Sequence, residues 1–432
     1  MFHHSVTHPP CMSKSVCVRA SFTALVFLIL TLAAQQVSAA TVTVSNTADS
    51  GAGSLRQAVA DANGTSDADT INFNVPLTDP NCDSSGVCTI TLSGGVITVQ
   101  AAGGSLIIAN QTGADNLLIS GNDASRIFEV GQGGNLTLNG LTITRGVSGG
   151  FTGGGGASGV VRNFRGTLTI MNSIITRNTG EFIISSSSPG PGILNVINTT
   201  VSNNTGRGIF FTNDASTGGT LNVANSTISN NSAPIGGGGG IYFLGDQLRM
   251  TNSTISGNSS EAGGGIYIST LGGGSTGSKS FVLTNCTVTA NTVTEGGGGI
   301  EVLQATLNLR NTIVAGNTRS GSASDVRFYN ASGKSLGHNL IGTSTNFEFG
   351  FGEWLASDML NQDARLAPLD NNGGVTQTHA LLPDSPAINA GDNTSATATD
   401  QRGFARVVGG IIDIGAFEFV PVKSRKRFRI TF

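Results

Sequence analysis

The sequence predicts an all-β fold: a right-handed parallel β-helix with a short N-terminal capping helix and an irregular C-terminal cap. Three observations predict it. One seven-residue pattern recurs at Asn172–Asn178, Asn198–Asn204, Asn225–Asn231, Asn252–Asn258, Asn285–Asn291 and Asn311–Asn317, its first Asn spaced by 26, 27, 27, 33 and 26 residues. Fixed self-similarity at such a period marks a solenoid. Apolar residues sit two and four places before each first Asn (Leu168/Ile170, Leu194/Val196, Leu221/Val223, Leu248/Met250, Phe281/Leu283, Leu307/Leu309) and three places after it (Ile175, Val201, Ile228, Ile255, Val288, Val314). That alternation marks strands with one buried face. Finally, 62 of 432 residues are Gly and only 11 % are charged. This composition excludes a helical bundle and argues against a disordered chain. A net charge of -3 argues against a nucleic-acid partner.

At the N-terminus, Lys14 and Arg19 precede an apolar run over 20–34, and Val37-Ser38-Ala39 fits a small-x-small cleavage site. Residues 1–39 read as a secretory signal peptide, with an uncleaved anchor as the other reading. The run is short for a membrane span, and no second one follows. Residues 40–134 read as an N-terminal cap and first coils. Within them, Ser54 caps a helix that places Leu55, Ala58, Val59 and Ala62 on one face. It is expected to cover the open end of the coil. Cys82 and Cys88 flank a polar turn, so export favours a loop-closing disulfide over a metal pair.

Residues 135–343 are the β-helix repeats. A fainter copy at 136–146 puts Gly140 and Gly146 in the two Asn columns. The first Asn interrupts the alternation, so the chain bends there; Asn tolerates the left-handed conformation and bonds its own backbone. Asn198, Asn225, Asn252 and Asn285 match glycosylation acceptors, but stacked amide ladders account for them. Cys286 occupies the column of Ser173, Thr199, Ser226, Ser253 and Thr312, which suits a small residue in a packed turn. A second strand type precedes the first Asn at Gly208-Ile-Phe, Gly240-Ile-Tyr, Gly265-Ile-Tyr and Gly299-Ile-Glu. Leucine-rich repeats are the main rival and lack the Asn-x-x-Ile/Val-x-x-Asn pattern. About ten coils predict a rod of roughly 50 Å. Residues 344–419 read as a C-terminal cap and 420–432 as a basic tail that either touches an anionic envelope or is simply solvated.

The C-terminal stretch contains 370–391 (Asp-Asn-Asn-Gly-Gly-Val-Thr-Gln-Thr-His-Ala-Leu-Leu-Pro-Asp-Ser-Pro-Ala-Ile-Asn-Ala-Gly), Asp400-Gln-Arg-Gly403 and Asp413-Ile-Gly-Ala-Phe-Glu418. It resembles the choice-of-anchor Q domain of bacterial exported proteins, and 335–342 fits that family's last coil. The opening at 41–76, with Gly53-Ser-Leu-Arg-Gln-Ala58, is similar to the N-terminal cap of CSLREA-type and polymorphic-outer-membrane-protein-like chains. The resemblance implies a secreted or cell-surface protein and carries no catalytic residues. The family implies a surface-sorting tail, but no apolar span follows Glu418.

Many β-helices cleave polysaccharides, which needs clustered carboxylates, often with Ca²⁺ or a base. Glu261 and Glu295 fall in neighbouring coils and are expected about 5 Å apart, the spacing of a retaining glycosidase pair. No basic residue is expected beside them. Glu181 falls in the same part of its coil; Asp214 and Asp246 are isolated. For binding, Phe210, Tyr242, Tyr267 and Glu301 form one outward column, either a flat face for sugar rings or an aromatic ladder that steadies the sheet. His379, Asp400, Arg402, Arg406, Asp413 and Glu418 read as a hydrogen-bonded closure of the cap. Asp400, Asp413 and Glu418 leave a Ca²⁺ site open; no other cofactor is implied. The sequence thus predicts an exported adhesive, glycan-binding or structural protein whose partners are polysaccharide or cell-envelope components. A polysaccharide lyase or glycoside hydrolase is the alternative.

Overall fold

A computed structural model describes residues 40–149, 157–188, 192–213, 218–270, 279–344, 347–348 and 351–421. The expected signal peptide, Asp214, nearly all of the basic tail and parts of the two longest coils lie outside the described residues. What is described is an all-β right-handed parallel β-helix. Three parallel sheets of 12, 11 and 10 strands run along it. The first runs from Thr41–Val44 to Phe351–Glu353, the second from Cys88–Thr91 to Met359–Leu360, and the third from Ile97–Val99 to Phe347–Glu348. At about 4.8 Å per strand, the longest sheet spans roughly 50 Å.

The apolar columns read from the repeat are the core. Leu168, Leu194, Leu221, Leu248, Phe281 and Leu307 pair in register along the first sheet. Ile175, Val201, Ile228, Ile255, Val288 and Val314 do so along the second. All are buried. The bend between these sheets is made by the first Asn of each repeat, which holds φ between +46° and +53° from Asn172 to Asn311. Asn accepts this region because its short polar side chain can bond locally.

Two polar ladders follow. The residue after each first Asn bonds the carbonyl two places back, as Ser226 Oγ does to Ala224 O at 2.7 Å. It also accepts the backbone N–H of the preceding coil, as Ser226 does from Thr199 at 3.1 Å. Cys286 fits this column, its thiol 3.3 Å from Thr284 O. The second Asn of each repeat builds the continuous amide ladder. The Nδ2 of Asn178, Asn204, Asn231, Asn258 and Asn291 each donates to the Oδ1 of its successor at 2.8–3.0 Å, and Asn317 donates to Asp325. The expectation placed this ladder on the first Asn. There it is only partial: Asn198 reaches Asn172 and Asn252 reaches Asn225, whereas Asn285 turns to Ser395 O.

The N-terminal helix α1 (Leu55–Asn63) forms as expected. Ser54 Oγ accepts from Gln57 N, and Leu55, Ala58, Val59 and Ala62 are buried against the first coils. Cys82 and Cys88 are disulfide-bonded.

The C-terminal stretch departs from the expected end cap. Phe347–Glu348, Phe351–Glu353 and Met359–Leu360 add one more strand to each of the three sheets. The chain then doubles back and lies along the outer face of the second sheet. The physical reason is that this face carries hydroxyls: Thr227, Thr254 and Thr287 in one register row, and Ser256 in the next. They bond Gln377 O, Gln401, His379 and the Ala416 N–H. Outward-facing Ile313 and Leu340 join Leu381, Ala387, Ile414 and Phe417 in a second small core. The segment is a strap over the flank, with a short antiparallel hairpin at Leu366–Asp370 and Thr378–Leu381.

Candidate functional site

The third sheet presents one outward column in register: Glu129, Arg162, Ser185, Phe210, Tyr242, Tyr267, Glu301 and Arg327. The four residues singled out from sequence, Phe210, Tyr242, Tyr267 and Glu301, are therefore successive neighbours. Their surroundings differ from a flat aromatic face. Tyr242 and Tyr267 stack with centroids 4.8 Å apart and planes 2° apart, and Phe210 stacks on Tyr242 at 5.1 Å. The faces are spent on each other because coil spacing equals stacking distance. Phe210 is 5 % exposed, against Phe182. Tyr242 and Tyr267 remain half-buried and present edges. Burial raises both phenols, Tyr267 to about 12. Glu301 is buried, accepting from Gly297 N at 2.6 Å and pairing with Arg327 at 2.7 Å. At the other end Glu129 pairs with Arg162 at 3.5 Å.

Glycine-rich turns close over this stack. A Cβ on Gly237 would lie 2.6 Å from the Tyr267 ring, and one on Gly263 (φ +57°) 2.7 Å from Ile266 O. The glycines before the aromatic strands are thus needed for close approach.

Glu261 and Glu295 are both exposed and lie in adjacent coils, joined through Glu295 N–H to Glu261 O at 2.7 Å. Glu261 Oε2 also accepts from Gly236 N at 2.7 Å. The expectation of no basic residue nearby needs correcting. Gly236 lies over the guanidinium of Arg207, whose charge feels Glu261. The two residues are distant in sequence, and only the coil stacking brings them together.

Arg207 was not anticipated. It begins a third-sheet strand (Thr205–Asn213) and is buried, donating to Gly237 O at 2.8 Å and Ile235 O at 2.7 Å. Its Nη1 meets Glu181 at 3.3 Å, and its guanidinium lies 5.5 Å from the Phe182 and Tyr242 rings. Burial pulls it below the usual arginine range, and Glu181 opposes this. Thr179, Glu181, Thr205, Arg207 and the Ala233–Pro234–Ile235 turn line a notch of about 410 Å³. The sequence cue was Thr205-Gly-Arg-Gly208, an arginine just ahead of a buried strand.

The three carboxyls considered for Ca²⁺ are engaged elsewhere. Asp400 accepts from the N–H groups of Arg402, Phe404 and Glu418 and pairs with the Arg402 guanidinium at 2.7 Å. Asp413 accepts from Asn389 and Phe419, and Glu418 from Val408 and Asp413. Buried Arg406 donates to the carbonyls of Asp413 and Gly415, and its charge feels all three carboxyls. Among the described residues, no group of three His, Cys, Asp or Glu side chains is arranged to hold a metal. Burial raises Glu418 to about 7 and also raises Asp413; it lowers Arg406 and His379.

The fold and these ladders define the class: a right-handed parallel β-helix protein. A family model described as "right handed beta helix region" matches residues 158–346, the coils that carry the Asn repeats. No curated protein matches the chain. Among the described residues, no helix is long and apolar enough to cross a membrane.

Proposed function

We propose that this chain is an exported β-helix that binds extracellular glycan at the cell surface, as an adhesive or structural element. The observation that carries the reading is the outward flank of the third sheet. There Tyr242 and Tyr267 stack half-buried, Tyr242 lies 5.5 Å from the Arg207 guanidinium that helps line a mostly apolar notch, and the column's charges are paired within it. Edges and hydroxyls offer hydrogen bonds and apolar contact to sugars. The Cys82–Cys88 disulfide supports export, because such bonds persist in oxidising compartments. The resemblance of the C-terminal motifs to the choice-of-anchor Q domain supports a surface location.

One observation favours the alternative, a polysaccharide lyase or glycoside hydrolase. Glu261 and Glu295 are exposed in adjacent coils, and Glu261 lies within the field of Arg207. The test is incubation with neutral and uronate polysaccharides, with and without Ca²⁺, following both binding and new reducing ends. Binding without new reducing ends is expected. Cleavage that is lost in Glu261→Gln or Glu295→Gln would replace the adhesive reading with the catalytic one.

A further inference from the structure

The notch beside Arg207 has a chemistry that narrows the ligand. One wall is apolar: Ala233, Pro234 and Ile235, the last 73 % exposed although it is a large aliphatic residue. The floor carries the Arg207–Glu181 pair. The two differ sharply, with side chains 9 % and 43 % exposed. Arg207 is anchored from behind by two carbonyls and by ring contacts, so its position is fixed. Glu181 sits on the open side, at 3.3 Å.

A fixed donor and an open acceptor side by side suit a vicinal diol. A hydroxyl can accept from the guanidinium while donating to the carboxylate. A carboxylate ligand fits less well. Glu181 already answers the Arg207 charge, and Glu261 adds a second negative charge to its field. The apolar wall suits the carbon-bound face of a sugar ring. The volume, about 410 Å³, lies at the low end for ligand sites and holds one or two rings, not a long segment.

We propose that this notch binds one neutral pyranose unit of a glycan, with vicinal hydroxyls across Arg207 and Glu181 and ring carbons against Pro234 and Ile235. The inference rests on the glycan-binding reading and gives it a place and a sugar class.

The test uses the full mature protein and calorimetric titration with neutral gluco-, manno- and galacto-oligosaccharides beside oligo-uronates. Two variants alter the open side of the notch, Glu181→Ala and Ile235→Asp. Ile235 is exposed enough for Ile235→Asp to leave the melting temperature nearly unchanged, whereas Glu181→Ala removes the counter-charge of buried Arg207 and is expected to lower it while the protein stays folded. At least one neutral oligosaccharide is expected to bind, the uronates at least tenfold more weakly, and each variant to lose at least tenfold in affinity. Uronates binding more tightly than every neutral sugar would overturn the sugar class. Neutral binding undiminished in both folded variants would overturn the notch and leave glycan binding itself standing. Binding of neither class would overturn both.

Discussion

At the scale of single residues, the two Asn columns look alike in sequence and do different work. Asn258 is buried; its side chain and N–H both reach Asn291 Oδ1, and its own Oδ1 receives Asn231. Asn258→Ala would orphan several buried donors, so we expect a loss of roughly 2–4 kcal/mol, read as a lower urea midpoint. Asn225 instead serves its φ of +50°. Asn225→Gly should therefore cost less than Asn225→Ala, whose Cβ opposes that conformation by about 1–2 kcal/mol. Comparing the two midpoints checks this. Cys286 was legible as a small turn residue, because five of its column mates are Ser or Thr. Cys286→Ser should change stability by less than about 1 kcal/mol. Burial pushes its thiol up to about 12, so the folded protein should resist alkylation that the unfolded chain undergoes.

At the scale of elements, strands and helix α1 could be read because each obeys one local rule: period-two burial, or a cap followed by an apolar face. The strap could not. Its partners lie some 80 to 175 residues earlier, and the hydroxyls it covers, such as Thr227 and Thr254, look like ordinary solvent-facing positions of an alternating strand. Arg207 was missed for the same reason: its contacts are set by stacking, not by neighbours in sequence. The strap carries the clearest pH dependence. Three carboxyls (Asp400, Asp413, Glu418) face two guanidiniums (Arg402, Arg406), so the cluster is neutral when one carboxyl holds a proton. Glu418 titrates near 7, against an ordinary 4.5. A carboxyl raised in the folded state contributes stability that is complete below about 4.5 and lost as pH rises through 7. Asp413, also raised, acts in the same sense. His379 acts oppositely: lowered by burial, it contributes above its ordinary 6.5 and less as pH falls. The melting temperature should fall by roughly 1–2 °C between pH 6 and pH 8, and Glu418→Gln should flatten most of that slope. An unchanged slope would assign the titration to another group.

At the scale of the whole described chain, the repeat period and two apolar columns were enough to place the coils between residues 136 and 317, since a solenoid only asks each coil to match its neighbours, while the earlier coils and the last one carry no copy of the Asn pattern. The disulfide is the one covalent brace of the described residues, and it closes a short loop next to the first coils. Replacing both cysteines by Ala should cost about 2 kcal/mol, read by denaturant titration, and open the N-terminal coils first. The polar ladders carry a further consequence. Every rung donates toward the C-terminal end, so each ladder has a direction and asks for a last acceptor that needs no donor of its own. Both ladders end on an aspartate. Asp325 receives the N–H and Nδ2 of Asn317, and Asp358 receives those of Asn339. An asparagine in either place would bring a side-chain donor to a position where the ladder calls only for an acceptor. A carboxylate works as punctuation: duplicating a coil upstream of it lengthens the sentence without changing its grammar, while moving the full stop leaves the clause open.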